Sequence, residues 1–343
     1  MEKHCSQTET PREPTKWSSG HEPCACRVED ARDLPPRHAD AMTAALMPGE
    51  KLRYLLYSPI WDGNQAPFGI TAEPASHAVA VAHDRFLVSR YSHAEGATPT
   101  LRVIPFSDVL YVQLGSSFCL GWFAVLFAEQ ARAAYEPLLF RALSRDCFAA
   151  AICEYRRSSA EALSQSPATP GAAWKELWRQ CSHSQAERIQ ELLFPGERPM
   201  GALRSSEQWV EQRGLWKRKW SCISCEGLLL GTNIGVFHVA RETYERPVTW
   251  NIGMNVVHVP YAAIRSATIA PKVILGKRLH HVRLILARRN VATCLEVPFD
   301  ESDIETAEGL VRHLTGGEAS WSQSQVQAQS MYLRPSAQRS GHE

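Results

Sequence analysis

Cysteine and histidine are the side chains of this sequence that could ligate a metal, and they come close together at two places. Cys24 and Cys26 are separated by one residue, and His21 lies nearby. Cys222 and Cys225 are separated by two residues, but residues three apart on a strand point to opposite faces of a sheet. A structural zinc site usually takes two such pairs, and no second pair follows Cys24 and Cys26. We therefore expect no metal, no cofactor and reduced cysteines that act as small apolar residues.

Catalytic motifs are absent from the sequence. It contains no glycine-rich phosphate loop, no Gly-x-Ser-x-Gly elbow and no His-Glu-x-x-His. His280 and His281 are adjacent, but neighbouring residues on a strand face opposite sides, so a shared role is not expected. We therefore expect a protein that is not an enzyme.

Basic side chains are concentrated in one part of the chain. The span from Arg246 to Leu295 contains no Asp or Glu, and the segment 272–278 within it surrounds a loop-like glycine. A second basic cluster lies between Trp216 and Trp220. Several such side chains can hold a phosphorylated headgroup through charge-assisted hydrogen bonds, and each contributes about 1 kcal/mol near an anionic surface. The candidate lipid-binding residues are Lys217, Arg218, Lys219, Lys272, Lys277 and Arg278.

Two other interpretations of the basic residues stay open. Charged residues on a strand often form only a solvated face, and Arg283, Arg288 and Arg289 flank an apolar strand in that manner. Nucleic acid is disfavoured because no aromatic residues are interleaved with the basic ones and no RNA-binding signature is present. Basic residues are sparse in the first half of the chain, which favours protein contacts there.

An internal repeat decides the expected architecture. Pro48-Gly49-Glu50 and Pro195-Gly196-Glu197 each introduce a predicted strand. Further along, Leu101–Val109 aligns with Val256–Ile264, since each is an apolar strand, a proline-aromatic step, two spacers and a β-branched residue. The alternation indicates other strands at His77–Val88, Gly121–Phe127, Leu138–Arg141, Trp220–Val239, Val282–Ala287 and Cys294–Pro298.

Each copy ends in a predicted amphipathic helix, at 144–157 and at 300–314. A half-open antiparallel sheet leaves one end of its core uncovered, and a terminal helix can close it. The fold class is therefore expected to be mainly β with terminal helices (α+β), with about seven strands in each copy.

The remaining segments set the domain boundaries. Residues 1–41 and 317–343 have few apolar residues and are expected to be disordered tails. The first domain is expected at 42–163 and the second at 192–316. Residues 164–191 are expected to form a linker and a bridging helix, with the helix over 172–193.

Membrane insertion is not expected from the hydropathy of the chain. The N-terminus has no apolar h-region, which predicts no signal peptide. The longest apolar run is Phe118–Ala128, far shorter than the roughly 20 residues that a membrane-spanning helix needs. We therefore expect no transmembrane segment and an intracellular, cytoplasmic protein.

The repeat resembles a known superfamily. Each copy is similar to the pleckstrin-homology (PH) and GRAM-like domains, and the layout resembles the two-PH-domain BBSome subunit family (Bardet–Biedl syndrome protein 5 type). The domains of that family open with Pro-Gly-Glu, as at 48–50. Its second domain has a Thr-Asn step and an Asn-Val strand like Thr232–His238 and Asn255–Ser266. The resemblance covers about Leu46 to Leu314.

The resemblance implies both a fold and a function. The fold is two tandem PH/GRAM-like domains, each a seven-stranded half-open antiparallel barrel or sandwich capped by a C-terminal helix. The function is that of a non-enzymatic membrane adaptor or coat subunit, which binds phosphoinositide or other anionic lipid at a peripheral membrane surface together with other coat-complex subunits. The location is the base of a cilium or flagellum, in protein transport.

The family pattern is not matched throughout. Residues 239–254 form an insertion, and Ala82–Arg85 stand where the family tends to have Thr-Asn-x-Arg, so the chain resembles a divergent paralogue. The segment Trp216–Trp220 matches the Trp-Lys-x-x-Trp step that lies beside the phosphoinositide pocket of many PH domains. The alternative function is a protein–protein scaffold of two PH-like domains without lipid affinity.

Overall fold

The computed structural model describes residues 24–60, 75–92, 97–117, 119–160, 174, 177–178, 181–194, 196–213, 218–241 and 253–315. Within these residues the protein is mainly β, with antiparallel sheets and a few helices, which confirms the expected class. Side chains are not described for residues 159, 160, 212, 213, 218 and 219.

The first half of the chain forms two meanders and a terminal helix. Its helices are α1 (Pro36–Ala45) and α2 (Arg145–Ala160), and its strands are β1 (Cys26–Arg27), β2 (Tyr54–Ser58), β3 (Ala75–Val81), β4 (Arg85–Ser92), β5 (Thr100–Pro105), β6 (Val109–Ser117), β7 (Leu120–Glu129) and β8 (Arg132–Arg141). Strands β1 to β5 pair in chain order as one sheet. Strands β6 to β8 form the second meander, and α2 follows them.

The second half repeats this order with one added hairpin. Its helices are α3 (His183–Gln190) and α4 (Ile304–Leu314), and its strands are β9 (Pro199–Ser205), β10 (Gln208–Arg213), β11 (Arg218–Ser224), β12 (Gly227–Thr232), β13 (Gly235–Arg241), β14 (Met254–Pro260), β15 (Ile264–Ile274), β16 (Lys277–Arg288) and β17 (Val291–Phe299). Strands β9, β12, β13 and β14 correspond to β2–β5, and β15–β17 correspond to β6–β8. The hairpin β10–β11 is inserted between the first two strands of this half.

The two halves correspond in register as well as in order. Arg85 pairs with Pro105 between β4 and β5, and Gly235 pairs with Pro260 between β13 and β14. Each of these prolines is followed by one 3-10 turn and then by a strand with an irregularity at its start. The Pro-Gly-Glu segments also match, because Gly49 and Gly196 have φ of 77° and 87°. A glycine serves at such positions because φ is positive.

The two halves share one sheet, which the sequence interpretation did not foresee. We expected two separate sheets, but β14 pairs with β6 in antiparallel register, with Met254 opposite Ser116 and His258 opposite Val112. The result is a seven-stranded sheet in the order β8-β7-β6-β14-β13-β12-β9. A hydrophobic core cluster spans both halves beneath it and contains residues from β6–β8, α2, α3 and β12–β14.

The segment 24–41, which we expected to be a disordered tail, is folded. It contributes β1 and the first half of α1, and Leu34 and Met42 are almost fully buried. They pack on the outer face of the first sheet, where β3 presents Ala78 and Ala80. Small residues on β3 let the helix approach closely, so both faces of this strand are buried. The other predicted tail residues, 1–23 and 317–343, lie outside the described residues.

The bridging helix is interrupted. Trp174, Leu177 and Trp178 are helical, but a new helix, α3, begins after Ser182. The hydroxyl of Ser182 accepts a hydrogen bond from the backbone N–H of Gln185, and the side chain of Gln185 accepts one from the backbone N–H of Ser182. This reciprocal capping box starts a helix at a fixed residue, which explains the break. The expected linker at 164–171 lies outside the described residues.

A buried ion pair lies at the junction of the two halves. Arg156 Nη2 of α2 is 2.5 Å from Glu197 Oε1, and neither side chain is exposed. Glu197 also accepts a hydrogen bond from the hydroxyl of Thr232, at 2.6 Å. Arg156 donates to the carbonyl of Leu192, and its guanidinium lies 4.4 Å from the ring centroid of Phe237. Burial lowers the pKa of Arg156, and the charge of Glu197 opposes that shift.

The ion pair Arg156–Glu197 joins the two halves, whereas the equivalent ion pair of the first half lies within that half. In the first half, Glu50 of Pro-Gly-Glu is paired with Arg85 at the start of β4, with 2.6 Å between Oε2 and Nη2. The residue that corresponds to Arg85 in the second half is Gly235, which has no side chain. Arg156 from the first half takes its place beside Glu197, so the two halves are joined by charge as well as by the sheet.

Candidate functional site

The tip of the β15–β16 hairpin combines cations with exposed apolar side chains. Ile274 pairs with Lys277, which leaves Leu275 and Gly276 as a two-residue turn. Val273 is 69% exposed and Leu275 is 47% exposed. Lys277 and Arg278 are exposed, and their side chains make no hydrogen bond or ion pair with another described residue. Three of the predicted site residues, Lys272, Lys277 and Arg278, are therefore on one hairpin.

The backbone of the turn is held in an unusual conformation. Leu275 has φ of 51° and Gly276 has φ of 79°, which is the left-handed pattern of a tight two-residue hairpin. Asn, Asp or Gly normally occupies such a position, because a branched apolar side chain there costs about 1 kcal/mol. Gln130 and Arg289 have a similar φ at two other hairpin turns, so among the described residues Leu275 is the apolar side chain in this conformation.

Lys272 differs from its neighbours because it is partly neutralised. Its Nζ lies 2.5 Å from Glu296 Oε2, and Glu296 Oε1 lies 3.0 Å from Arg283 Nε. Burial would raise the pKa of Glu296, but the hydrogen bond from Lys272 and the charges of Lys272 and Arg283 outweigh it, so this pKa is lowered. The carboxylate is therefore charged at neutral pH, and Lys272 contributes less free charge than Lys277 or Arg278.

The second basic cluster lies on the inserted hairpin. Arg218 and Lys219 belong to β11, where they pair with Arg213 and Gln212 of β10 at the far end of the hairpin. Lys217 lies outside the described residues. Trp220, the next residue of β11, is 42% exposed.

The bases of the two hairpins lie next to each other. At the base of β10–β11, the side chains of Ser206 and Gln208 donate hydrogen bonds to the carboxylate of Asp300. Asp300 directly follows Phe299, and Phe299 pairs with His280 of β16. The two hairpins therefore start from the same end of the three-stranded sheet.

Three other arginines of the basic span have structural contacts. Arg283 is paired with Glu296, Arg289 Nη2 lies 2.6 Å from Asp108 Oδ2, and Arg288 Nε donates to the carbonyl of Val109 at 3.3 Å. The last two contacts join β16 and the turn after it to the start of β6. These three residues therefore make contacts within the protein, and none of them belongs to the predicted site.

Val273 and Leu275 were missed by the sequence interpretation. Both residues lie in the segment 272–278 (Lys-Val-Ile-Leu-Gly-Lys-Arg), but the apolar residues of a strand are normally assigned to the core. The signal that could have found them is the glycine after Leu275. A two-residue turn at Leu275-Gly276 places the residues on either side of it beyond the core.

Other kinds of site find no support in the described part of the chain. No helix there is long and apolar enough to cross a membrane. No group of three or more His, Cys, Asp or Glu residues is placed to hold a metal ion among the residues described. Cys24, Cys26, Cys222 and Cys225 form no disulfide within the described part of the chain.

No family model, curated protein or solved structure matches this chain. The functional argument therefore depends on the hairpin geometry and on the residue patterns of the sequence.

Proposed function

We propose that the protein is a non-enzymatic membrane adaptor that binds phosphoinositide or another anionic lipid through the tip of the β15–β16 hairpin. The observation that carries this proposal is the combination at the tip of two exposed cations, Lys277 and Arg278, with two exposed apolar side chains, Val273 and Leu275. A membrane interface offers anionic headgroups to the cations and acyl chains to the apolar residues.

The contacts of one tip amount to a weak affinity. Two cations near an anionic surface contribute about 1 kcal/mol each. Full burial of a Val or Leu side chain is worth about 1.5–3 kcal/mol, so the exposed parts of Val273 and Leu275 are worth roughly 1–2 kcal/mol each. The sum of roughly 4–6 kcal/mol corresponds to an affinity of about 0.05–1 mM. A useful membrane affinity therefore needs the second basic cluster as well.

Vesicle co-sedimentation tests the hairpin. The full chain is mixed with phosphatidylcholine vesicles, with or without a phosphoinositide, at low and at physiological salt. We expect binding only to the anionic vesicles, and less of it as salt rises, because exposed charges are screened over about 8 Å at physiological ionic strength. The double variant Lys277→Glu/Arg278→Glu should lose most of this binding.

The matched control for this variant is Lys51→Glu/Arg132→Glu, which changes the net charge by the same amount at two exposed sites elsewhere. It should bind anionic vesicles almost as well as the parent. Equal losses in the two double variants would show that net charge alone attracts the protein. No binding by the parent at low salt would refute the lipid function.

The inserted hairpin is tested separately. Lys217→Glu/Lys219→Glu should also abolish vesicle binding while leaving the thermal melt nearly unchanged, because exposed charges alter stability by no more than about 0.5 kcal/mol. If this variant binds as well as the parent, the tip of β15–β16 acts without the second cluster.

Assembly into a BBSome-like coat at the base of a cilium or flagellum is the wider form of the proposal, and it is supported by the residue pattern at 255–266. Affinity purification of the chain from ciliated cells should recover other coat subunits. Recovery of none would leave a stand-alone membrane adaptor. The second candidate function, a protein scaffold without lipid affinity, is favoured by one observation: among the described strands, β5 has a neighbour on one side only.

A further inference from the structure

The repeat shows which sheet edges the protein covers and which it leaves open. In the second half, the outer edge of β14 is covered by β6 over Met254–His258. The strand that corresponds to β14 in the first half is β5, because Pro260 and Pro105 end the two strands in equivalent registers. Among the described residues, the strand neighbour of β5 is β4 alone. Among the described strands, the outer edge of β5 is therefore uncovered, whereas the equivalent edge of β14 is covered by β6.

The open edge of β5 has the properties of a binding edge. Arg102 and Val103 are exposed, and Val103 is 50% exposed. Pro99 precedes the strand and Pro105 ends it, and no proline lies between them. An unpaired strand of this length offers a row of backbone N–H and C=O groups to another chain, and proteins usually obstruct such edges when no partner exists.

The outer edge of β15, the strand of the second half that is equivalent to β6, is obstructed by a proline. The strand that corresponds to β6 in the second half is β15, and both have an irregularity at their start. Ser116 of β6 and Pro271 of β15 are equivalent, since each lies seven positions after the first residue of its strand. Proline lacks the N–H that a ladder needs, so β15 is protected and β5 is not.

The covered edge indicates what would fit the open one. On β14, Val256 lies opposite Leu114 of β6, and His258 lies opposite Val112. The residues of β5 that correspond to Val256 and His258 are Leu101 and Val103. A strand added to β5 would therefore place aliphatic side chains, two residues apart, opposite Leu101 and Val103.

A second copy of this chain does not supply that strand. Its β6 is already paired with its own β14, and its β15 carries Pro271. Antiparallel pairing of two β5 strands about their centre would place the two Arg102 side chains opposite each other. Each of them is already bridged to Glu129 and Glu136 of its own chain, so the symmetric pairing brings two cations together and gains no new ion pair.

We propose that the β5 edge, Thr100–Pro105, binds an extended segment of another protein by strand addition, with aliphatic residues at alternate positions of that segment. This inference concerns protein binding by the first half and extends the adaptor function proposed above. Its failure can be told apart from failure of lipid binding, because Lys277→Glu/Arg278→Glu leaves β5 unchanged.

The probe for this edge is a synthetic peptide with the sequence of β6, residues 109–117 (Val-Leu-Tyr-Val-Gln-Leu-Gly-Ser-Ser). Its binding to the full chain is measured by fluorescence polarisation, with a scrambled peptide as control. We expect binding by the parent and equally by Lys277→Glu/Arg278→Glu. Val103→Lys should lower the affinity by about fivefold or more, because it removes a cross-strand apolar pair and adds an edge charge.

N-methylated peptides separate strand addition from apolar adsorption. Alternate residues of a strand direct their N–H groups to the same neighbour. Methylation of one alternate set should abolish binding, and methylation of the other should be tolerated. Hydrogen exchange should show added protection at 100–104.

Four results would overturn the inference. The first is that the β6 peptide does not bind at about 1 mM, and the second is that both methylated peptides bind equally well. The third is that the peptide slows hydrogen exchange at 254–258 and not at 100–104. The fourth is that the full chain self-associates and that Val103→Lys abolishes this self-association. The third would mean that the peptide exchanges with β6, and the fourth that a second copy occupies the edge.

Discussion

The buried pair Arg156–Glu197 gives the sharpest prediction about the junction of the two halves. We expect Arg156→Met, which keeps most of the side-chain volume, to lower the free energy of unfolding by about 3–5 kcal/mol. The reason is that Glu197 keeps its hydrogen bond from Thr232 but loses the charge that offsets its burial. The measurement is urea unfolding followed by circular dichroism at pH 7.

The matched control is the next residue of the same helix. Arg157 also pairs with a carboxylate, that of Glu154, but 54% of its side chain is exposed. Arg157→Met should cost less than about 1 kcal/mol, as exposed pairs do. A loss for Arg156→Met no greater than that for Arg157→Met would refute the buried junction.

A second variant tests the sign of the effect. Adding Glu197→Gln to Arg156→Met removes the uncompensated charge and keeps an acceptor for Thr232. The double variant should therefore be more stable than Arg156→Met alone, although it carries one more substitution. A double variant that is less stable would show that volume and packing, not charge, dominate at this place.

Two further predictions concern strain and acid. Leu275→Asn should raise the free energy of unfolding by about 1 kcal/mol, because asparagine tolerates the left-handed backbone. The same variant should weaken vesicle binding, because asparagine is polar. The control is Gln130→Asn, at a turn with φ of 54°, which should leave vesicle binding unchanged. Burial lowers the pKa of His77 to about 3 and, with a contribution from Arg156, lowers that of His258 well below 6.5. Unfolded imidazoles titrate near 6.5, so stability should be full above about pH 6.5 and fall towards pH 4, by about 1.4 kcal/mol per pH unit for each histidine. Equal urea midpoints at pH 7 and pH 5 would contradict this.

Part of the strand pattern could be predicted because its signals are local. His77–Val88 and Trp220–Val239 were each expected to be one strand, but turns divide them at 82–84, 225–226 and 233–234. Pro-Gly-Glu at 48–50 and 195–197 and the proline-aromatic steps at Pro105 and Pro260 act through the backbone of a few residues. The two terminal helices were also marked locally, by their apolar spacing. These features needed no knowledge of which strand pairs with which.

The shared sheet could not be predicted for the opposite reason. Pairing of β14 with β6 joins residues far apart in sequence, such as Met254 and Ser116. An alternating apolar pattern is the same whether a strand closes its own sheet or joins another. The folded segment 24–41 was missed because its core contacts are made by a few residues, chiefly Val28, Ala31 and Leu34, within a polar stretch.

The candidate site includes contacts that the sequence does not show. The predicted residues Lys272, Lys277 and Arg278 lie on one exposed hairpin, but no sequence feature shows that Lys272 is held by Glu296. That contact depends on the register of β15–β17. Arg156 was overlooked because it follows the apolar stripe of α2 like any exposed arginine, and its burial comes wholly from the other half of the chain.

Hydrogen exchange of the full chain with and without phosphoinositide-containing vesicles tests the central claim most directly. We predict slower exchange at 272–278 on addition of vesicles, with no change at the β7–β8 turn, residues 129–132. The same experiment with phosphatidylcholine vesicles should show no change at either place. Protein that co-sediments with the anionic vesicles but exchanges at 272–278 as fast as free protein would contradict the assignment of this hairpin as the membrane contact.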